Sequence, residues 1–276
     1  TMEGGEISGN HSTAGVNHGT GLYITTEATF VMNGGKVTNN SAAGSGSRGA
    51  GIYTDGSSYF NAGEVSYNTN ATGFGGGMYI EVGSITHAKN ILVTENQART
   101  GGGLWTCNTG TNLLGYSLTN SYAVFGNTST GSGNDVSHSG GGYPFYASTT
   151  CLGGGSIAWY DEFHQVILEP DGYQYVITSK NLTAIVDDDD RQRARDAATM
   201  VFKGNVATNN SGGAIACNGA LFAGELDKVL SVRKAFGEDT DSAPVTVHLY
   251  KGDTYIESVV LDSGNSRFHT FTGLDA

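Results

Sequence analysis

Asp161, Glu162 and His164 form a close grouping that could supply a general acid and a base in this 276-residue chain. Acid–base chemistry needs the two groups to converge on one bond. Neighbouring residues on a strand face opposite ways, which sets Asp161 against Glu162. Across residues 1–139 the acids are Glu3, Glu6, Glu27, Asp55, Glu64, Glu81, Glu95 and Asp135, too scattered for the paired carboxylates of glycoside cleavage. Glu6 and Glu64 hold equivalent positions, but Lys36 fills the place between them. The run Asp187 to Asp190 offers hard oxygens for Ca²⁺, yet it lacks the spaced ligands, central glycine and distal glutamate of a calcium loop. Followed by Arg191, Arg193 and Arg195, it better suits the first turn of a short helix with its dipole satisfied. Cys107, Cys151 and Cys217 show no CxxC or His/Cys spacing, and buried structural thiols are the expected state. His11, His18, His87 and His138 are scattered rather than a metal set. No catalytic residue, metal site or cofactor is assigned. Tyr143, Tyr146, Trp159 and Tyr160 are the candidate ligand-binding residues, as an aromatic surface for carbohydrate or peptide; a small satellite core is the plainer account of them.

The elements that carry these residues repeat. Asn10, Asn40, Asn68, Asn96 and Asn127 are separated by 30, 28, 28 and 31 residues. Gly21, Gly51, Gly77 and Gly103, each followed by an apolar residue, are separated by 30, 26 and 26. A fixed period in this range marks a repeat architecture. Within each unit the apolar residues alternate or form short β-branched pieces, as in Ala28 to Met32 and Gly77 to Val82, which reads as short strands. Such a unit cannot bury its own apolar face, but stacked coils can. The recurring Asn predicts a ladder in which each amide hydrogen-bonds its copy in the next coil. The expected fold is all-β: a right-handed parallel β-helix, a solenoid, with a long insertion.

Two motifs near the end of the array, Phe202-Lys203-Gly204-Asn205 and Gly212-Gly213-Ala214-Ile215, resemble the FxxN and GGA[ILV] repeats of chlamydial polymorphic outer-membrane proteins and related bacterial adhesins. Gly75 to Met78, Gly101 to Leu104 and Phe125-Gly126-Asn127 are looser copies. The resemblance implies a β-helical, surface-displayed and non-enzymatic protein. Further on, Leu230 to Phe236, Pro244 to Asp253 and Phe268 to Leu274 are similar to a Cna B-type domain, the immunoglobulin-like module of Gram-positive surface proteins. That likeness implies an incomplete β-sandwich and places Lys234 where the family carries its isopeptide-forming lysine. The family's last strand, with the partner Asn, is missing from this reading. Glu257 and Asp262 are candidates for the assisting acid.

The period breaks between Asn127 and Asn205. The expected organisation is therefore coils over 1–139, an insertion over 140–199, the last coil over 200–225 and the Cna B-type segment over 226–276. Pro170-Asp171-Gly172 between two alternating runs predicts a hairpin within the insertion. A net charge of −12 argues against nucleic acid or an anionic membrane surface as partner. No apolar run is long enough to span a membrane. The expectation is a non-catalytic, secreted fragment of a wall-anchored Gram-positive cell-surface protein. It would act as an adhesin or a rigid display stalk, with a host glycan or matrix protein and the rest of its parent chain as partners. The alternative is a carbohydrate-active β-helix enzyme, a polysaccharide lyase or glycoside hydrolase.

Overall fold

A computed structural model of the chain describes residues 1–13, 15–107, 110–113, 121–139, 145–170, 174–177, 180–223, 230–233, 243–261 and 268–271. Those residues are mostly β, with 54% in strands and one α-helix among them. Two compact units divide it, Thr1–Glu225 and Leu226–Ala276.

Among its described residues the first unit contains four large sheets whose strands are mostly parallel. Each sheet takes one short strand from each of six successive layers: residues 6–32, 36–60, 63–88, 200–223, 91–113 and 122–148. The order is not the order of the sequence. Met200–Lys203 lies between Gly63–Ser66 and Ile91–Thr94, parallel to both. Val206–Ser211, Ile215–Cys217 and Ala220–Ala223 sit between the corresponding neighbours in the other three sheets. The segment expected to close the array is therefore an internal layer.

Its side chains fit because every layer has the same alternation. Val37, Val65, Phe202, Val93 and Val124 are in register and buried. Ile52, Met78, Ile215, Leu104, Val136 and Leu182 form a second buried row. Covering a side chain of Phe202's size contributes roughly 1.5–3 kcal/mol. Only Lys89 and Asn90 join Ala88 to Ile91, stepping over the intercalated layer, whereas Asn61 and Ala62 carry the chain from Phe60 to the adjoining layer at Gly63. Asn90 adopts φ +40°, a conformation asparagine tolerates better than most residues. Its carbonyl accepts from Thr199 N at 3.1 Å, and Thr199 Oγ1 donates to Asn61 O at 2.8 Å. Thr199 thus stitches the entering segment to the turns on either side.

The two repeating motifs touch. Asn10, Asn40, Asn68, Asn205, Asn96, Asn127 and Asp135 form one continuous ladder, each Nδ2 donating to the next Oδ1 at 2.8 or 2.9 Å. A Cβ on Gly51 would lie 2.5 Å from Gly77 O and 2.8 Å from Asn68 Nδ2, which is why the corner glycines share the period of the asparagines.

The segment 140–199 departs from expectation. The runs either side of Pro170 do not pair with one another. Val166–Leu168 joins Ala158–Tyr160, while Gln174–Ile177 runs antiparallel to Phe145–Ser148 in a different sheet. Lys180–Ile185 extends the third sheet antiparallel to Val136–His138. Alternation specified strands here, but the sheets that received them were the exposed edges of the array. The helix Asp188–Ala197 starts as expected: Asp187 is its N-cap and accepts from Asp190 N at 2.8 Å. Arg191 and Arg195 lie over the ring of buried Phe125, at 5.5 and 5.7 Å.

In the second unit Val245–Lys251 pairs antiparallel with Thr254–Leu261, and Leu230–Arg233 with Phe268–Phe271. Lys234 and Asp262 lie outside the described residues. Glu257 is exposed, not buried as a proton-shuttling acid would be.

Candidate functional site

The outer face of the third sheet, the one that contains Ile215–Cys217, carries a row of side chains in register, polar or aromatic except at Ala216: Tyr23, Tyr53, Tyr79, Ala216, Trp105, Ser137 and Asn181. Tyr23 begins the row 49% exposed, but behind it the row is covered. Tyr53 and Tyr79 are 3% and 2% exposed and stack at 5.8 Å, with His18 stacked on Tyr53 at 4.4 Å. Arg48 lies over the Tyr79 ring at 5.1 Å and forms an ion pair with Glu81, which also accepts from Tyr53 Oη at 2.8 Å. Burial pushes the Tyr79 phenol up to about 12. This end is a satellite core.

At the other end the row opens into a cleft of about 470 Å³. Its floor is Trp105, Ser137 and Asn181; Lys180 and His138 flank them; Asp161, Glu162 and Phe163 form the overhanging wall. The wall is a tight turn between Ala158–Tyr160 and Val166–Leu168. Asp161 N donates to Gln165 O at 3.0 Å, and Asp161 Oδ1 accepts from Phe163 N and Gln165 N, both at 2.9 Å. The floor is pre-ordered: Ser137 Oγ donates to Asn181 Oδ1 at 2.8 Å, and Asn181 Nδ2 donates to Glu162 Oε2 at 3.2 Å. Phe163 is 74% exposed at the rim.

Asp161 and Glu162 share the cleft because they occupy a turn, where the opposed facing of strand residues does not apply. His164 is exposed and is not part of the lining. The aromatic candidates divide. Trp159 is fully buried, its Nε1 donating to Ser148 O at 2.8 Å, and Tyr146 is 5% exposed, so both are core. They cannot present a surface because the strands that carry them extend the sheets over the hydrophobic interior. Tyr160 is half-buried and Tyr143 lies outside the described residues. Sequence reasoning missed Trp105 and Asn181 as partners, since strand pairing alone joins them; the exposed Phe163 beside Asp161-Glu162 was the available signal.

The four aspartates do not gather on a cation. Asp190 turns inward, accepts from Ser156 N at 2.7 Å and is ion-paired with Arg193. Among the described residues there is no group of three His, Cys, Asp or Glu side chains placed to hold a metal. Cys151 and Cys217 are buried, and Cys107 is half-buried.

Comparison of the chain with protein-family models, with curated proteins and with solved structures finds no match in any of the three.

Proposed function

We propose that this chain is a non-catalytic module of a larger bacterial cell-surface protein, secreted and wall-attached, acting as an adhesin or rigid display stalk. In this reading the parallel sheets wind as a right-handed β-helix, and residues 226–276 belong to a Cna B-type domain that extends the stalk. The observation that carries it is the uninterrupted amide ladder from Asn10 to Asp135, in which Asn40, Asn68, Asn205, Asn96 and Asn127 are all buried. Asn40, Asn68, Asn205 and Asn96 are each held by the layers on both sides, so bending the stack strains a whole row of hydrogen bonds at once. Such a body resists bending and proteolysis, which suits a part that holds other parts away from a cell. The acidic surface, net −12, suits a soluble extracellular exterior. No helix among the described residues is long and apolar enough to cross a membrane.

A second reading, a carbohydrate-active β-helix enzyme, is favoured by one feature: Asp161 and Glu162 line the same cleft. Glycan-array and matrix-protein binding by the folded chain, with the bound glycans recovered and sized, separates the readings. Binding of intact glycan or matrix protein supports an adhesin, and no binding supports a passive stalk. Shortened glycans would overturn the non-catalytic proposal.

A further inference from the structure

We propose that the cleft between Trp105 and the 161–165 turn is a subsite for an uncharged sugar segment, held by ring stacking and by carboxylate and amide hydrogen bonds. The inference rests on the adhesin reading and names the ligand class of its site. The cleft, at about 470 Å³, falls within the roughly 300–1,000 Å³ typical of small-molecule sites. Its chemistry is that of a surface made for an amphipathic ring. Trp105 is half-buried, packed on one side against Phe74 at 5.1 Å and lining the cleft, and Phe163 is 74% exposed at the rim, so these two rings can take the C–H side of a sugar. Glu162, Asp161 and Asn181 supply oxygens that accept from hydroxyl groups, and Lys180 supplies a donor. The bonds Ser137–Asn181 and Asn181–Glu162 fix these groups before any ligand arrives, which lowers the ordering cost of binding.

Other occupants fit less well. An extended peptide binds a sheet by pairing with an open strand edge. Here Val136–His138 is already paired on both sides, with Leu104–Thr106 and with Lys180–Ile185, so the cleft floor offers no edge. A uronic or sulfated glycan, or a nucleic acid, would set its charge against Asp161 and Glu162 on a chain of net charge −12. Ring stacking also needs a clear aromatic face beside polar groups: Tyr53 and Tyr79 are buried, and Tyr23, although 49% exposed, does not line the cleft.

The chain itself carries the reporter. Its two tryptophans are Trp105 in the cleft and Trp159, which is 0% exposed. Titration of the full chain with neutral tetrasaccharides of glucose and of N-acetylglucosamine, with tetragalacturonate alongside, is followed by tryptophan emission and acrylamide quenching. A neutral tetrasaccharide is expected to shift the emission and protect it from acrylamide, and Trp105→Phe to abolish both signals. Phe163→Ala, at a rim position whose ring contributes little to the fold, is expected to weaken binding at least tenfold. A glycan captured on an array that leaves Trp105 quenching unchanged, and binds Phe163→Ala equally well, overturns the cleft while leaving the adhesin reading intact. Preference for tetragalacturonate, or capture of matrix protein with no glycan, overturns the cleft as well. A folded chain that binds neither glycan nor matrix protein overturns both this inference and the adhesin reading.

Discussion

Asn68 Nδ2 donates to Asn205 Oδ1 at 2.9 Å across 137 residues of sequence, and Asn205 Nδ2 donates in turn to Asn96 Oδ1 at 2.9 Å. A contact that the 28-residue period would assign to Asn68 and Asn96 is thus made through a third residue from a distant segment. In an ordinary stack the removal of an internal layer cuts the chain. Here Lys89-Asn90 already connects the flanking layers, so the intercalated layer is internal in space and remote in sequence.

The order of the layers can be read by crosslinking. Thr69, Val206 and Gln97 occupy one outward-facing row. Adjacent strands lie about 4.8 Å apart, within the span of about 4.4–6.8 Å that a disulfide bridges, whereas a second-neighbour strand lies at about 9.6 Å. With the three native cysteines replaced by serine, Thr69→Cys/Val206→Cys is expected to close under mild oxidation. Thr69→Cys/Gln97→Cys is expected to stay reduced. The reverse pattern, seen by peptide mapping, would mean that residues 200–223 do not lie between the two layers.

Ladder position sets the cost of losing an amide. Asn205→Ala removes the acceptor of Asn68 N and Asn68 Nδ2 and the donors to Val65 O and Asn96 Oδ1, all in a fully buried place. At about 1–3 kcal/mol for each buried group left unpaired, the expected loss is about 3 kcal/mol or more. Asn10→Ala, at the exposed end, is expected to cost about 1 kcal/mol or less. Urea denaturation of both variants checks the gradient, and equal losses would contradict it.

Asp135 ends the ladder for a chemical reason. Every amide in the row donates onward, so the final member has only to accept, and its carboxylate takes Asn127 Nδ2 at 2.9 Å and Ala184 N at 2.8 Å. Burial pushes its carboxyl up to about 6 from an ordinary 3.8. Between these values the folded state holds the extra proton, so this group's contribution to stability falls as pH rises from about 4 to 6. Asp135→Asn is expected to lose that component, so that acidification from pH 7 to 5 helps it less than the parent. Melting temperatures at the two pH values test this; an unchanged pH profile would refute it.

His87 acts in the opposite sense. Its ring stacks between Tyr59 and Phe222 at 5.1 and 4.9 Å, and its buried Nδ1 has no hydrogen-bond partner among the described residues. Burial lowers it to about 4 from 6.5. The unfolded chain therefore binds the extra proton between these values, and stability is lost as pH falls below about 6.5. His87→Phe keeps the stack and removes the titration, so acidification from pH 7 to 5 is expected to cost this variant less than the parent. Identical melting shifts for variant and parent would exclude the effect.

Much of the layer structure was legible in the chain. The alternation around Val37, Val65 and Val93 specified strands with one face inward. The shared period of the asparagines and glycines reflects their contact, since a Cβ on Gly103 would lie 2.8 Å from Asn127 Nδ2. The cap at Asp187 was also readable, because capping is a local competition among a few backbone donors. The strands on either side of Pro170 form but do not make a hairpin with one another, because a turn signal brings two strands close without stopping each from pairing with a better edge. For Trp159 the pattern leaves both a surface and a satellite core open, with the core the plainer account, because its burial depends on which sheet its strand joins.

The sequence by itself determined the repeating unit, its strands, its inward rows and its amide ladder, since each follows from contacts inside one layer or between identical patterns. It did not determine the order of the layers. Residues 63–88, 91–113 and 200–223 present the same edge: an apolar row, an outward row and an amide at matching places. Any two can stack in the same register, so local pattern cannot choose among them. The cleft follows from that order and from the antiparallel strand Lys180–Ile185, which brings Asn181 beside Ser137 and hangs the 161–165 turn over Trp105. Only the packed tertiary structure, in which one connection spans two layers and a late segment fills the space between, decided where the chain carries its site.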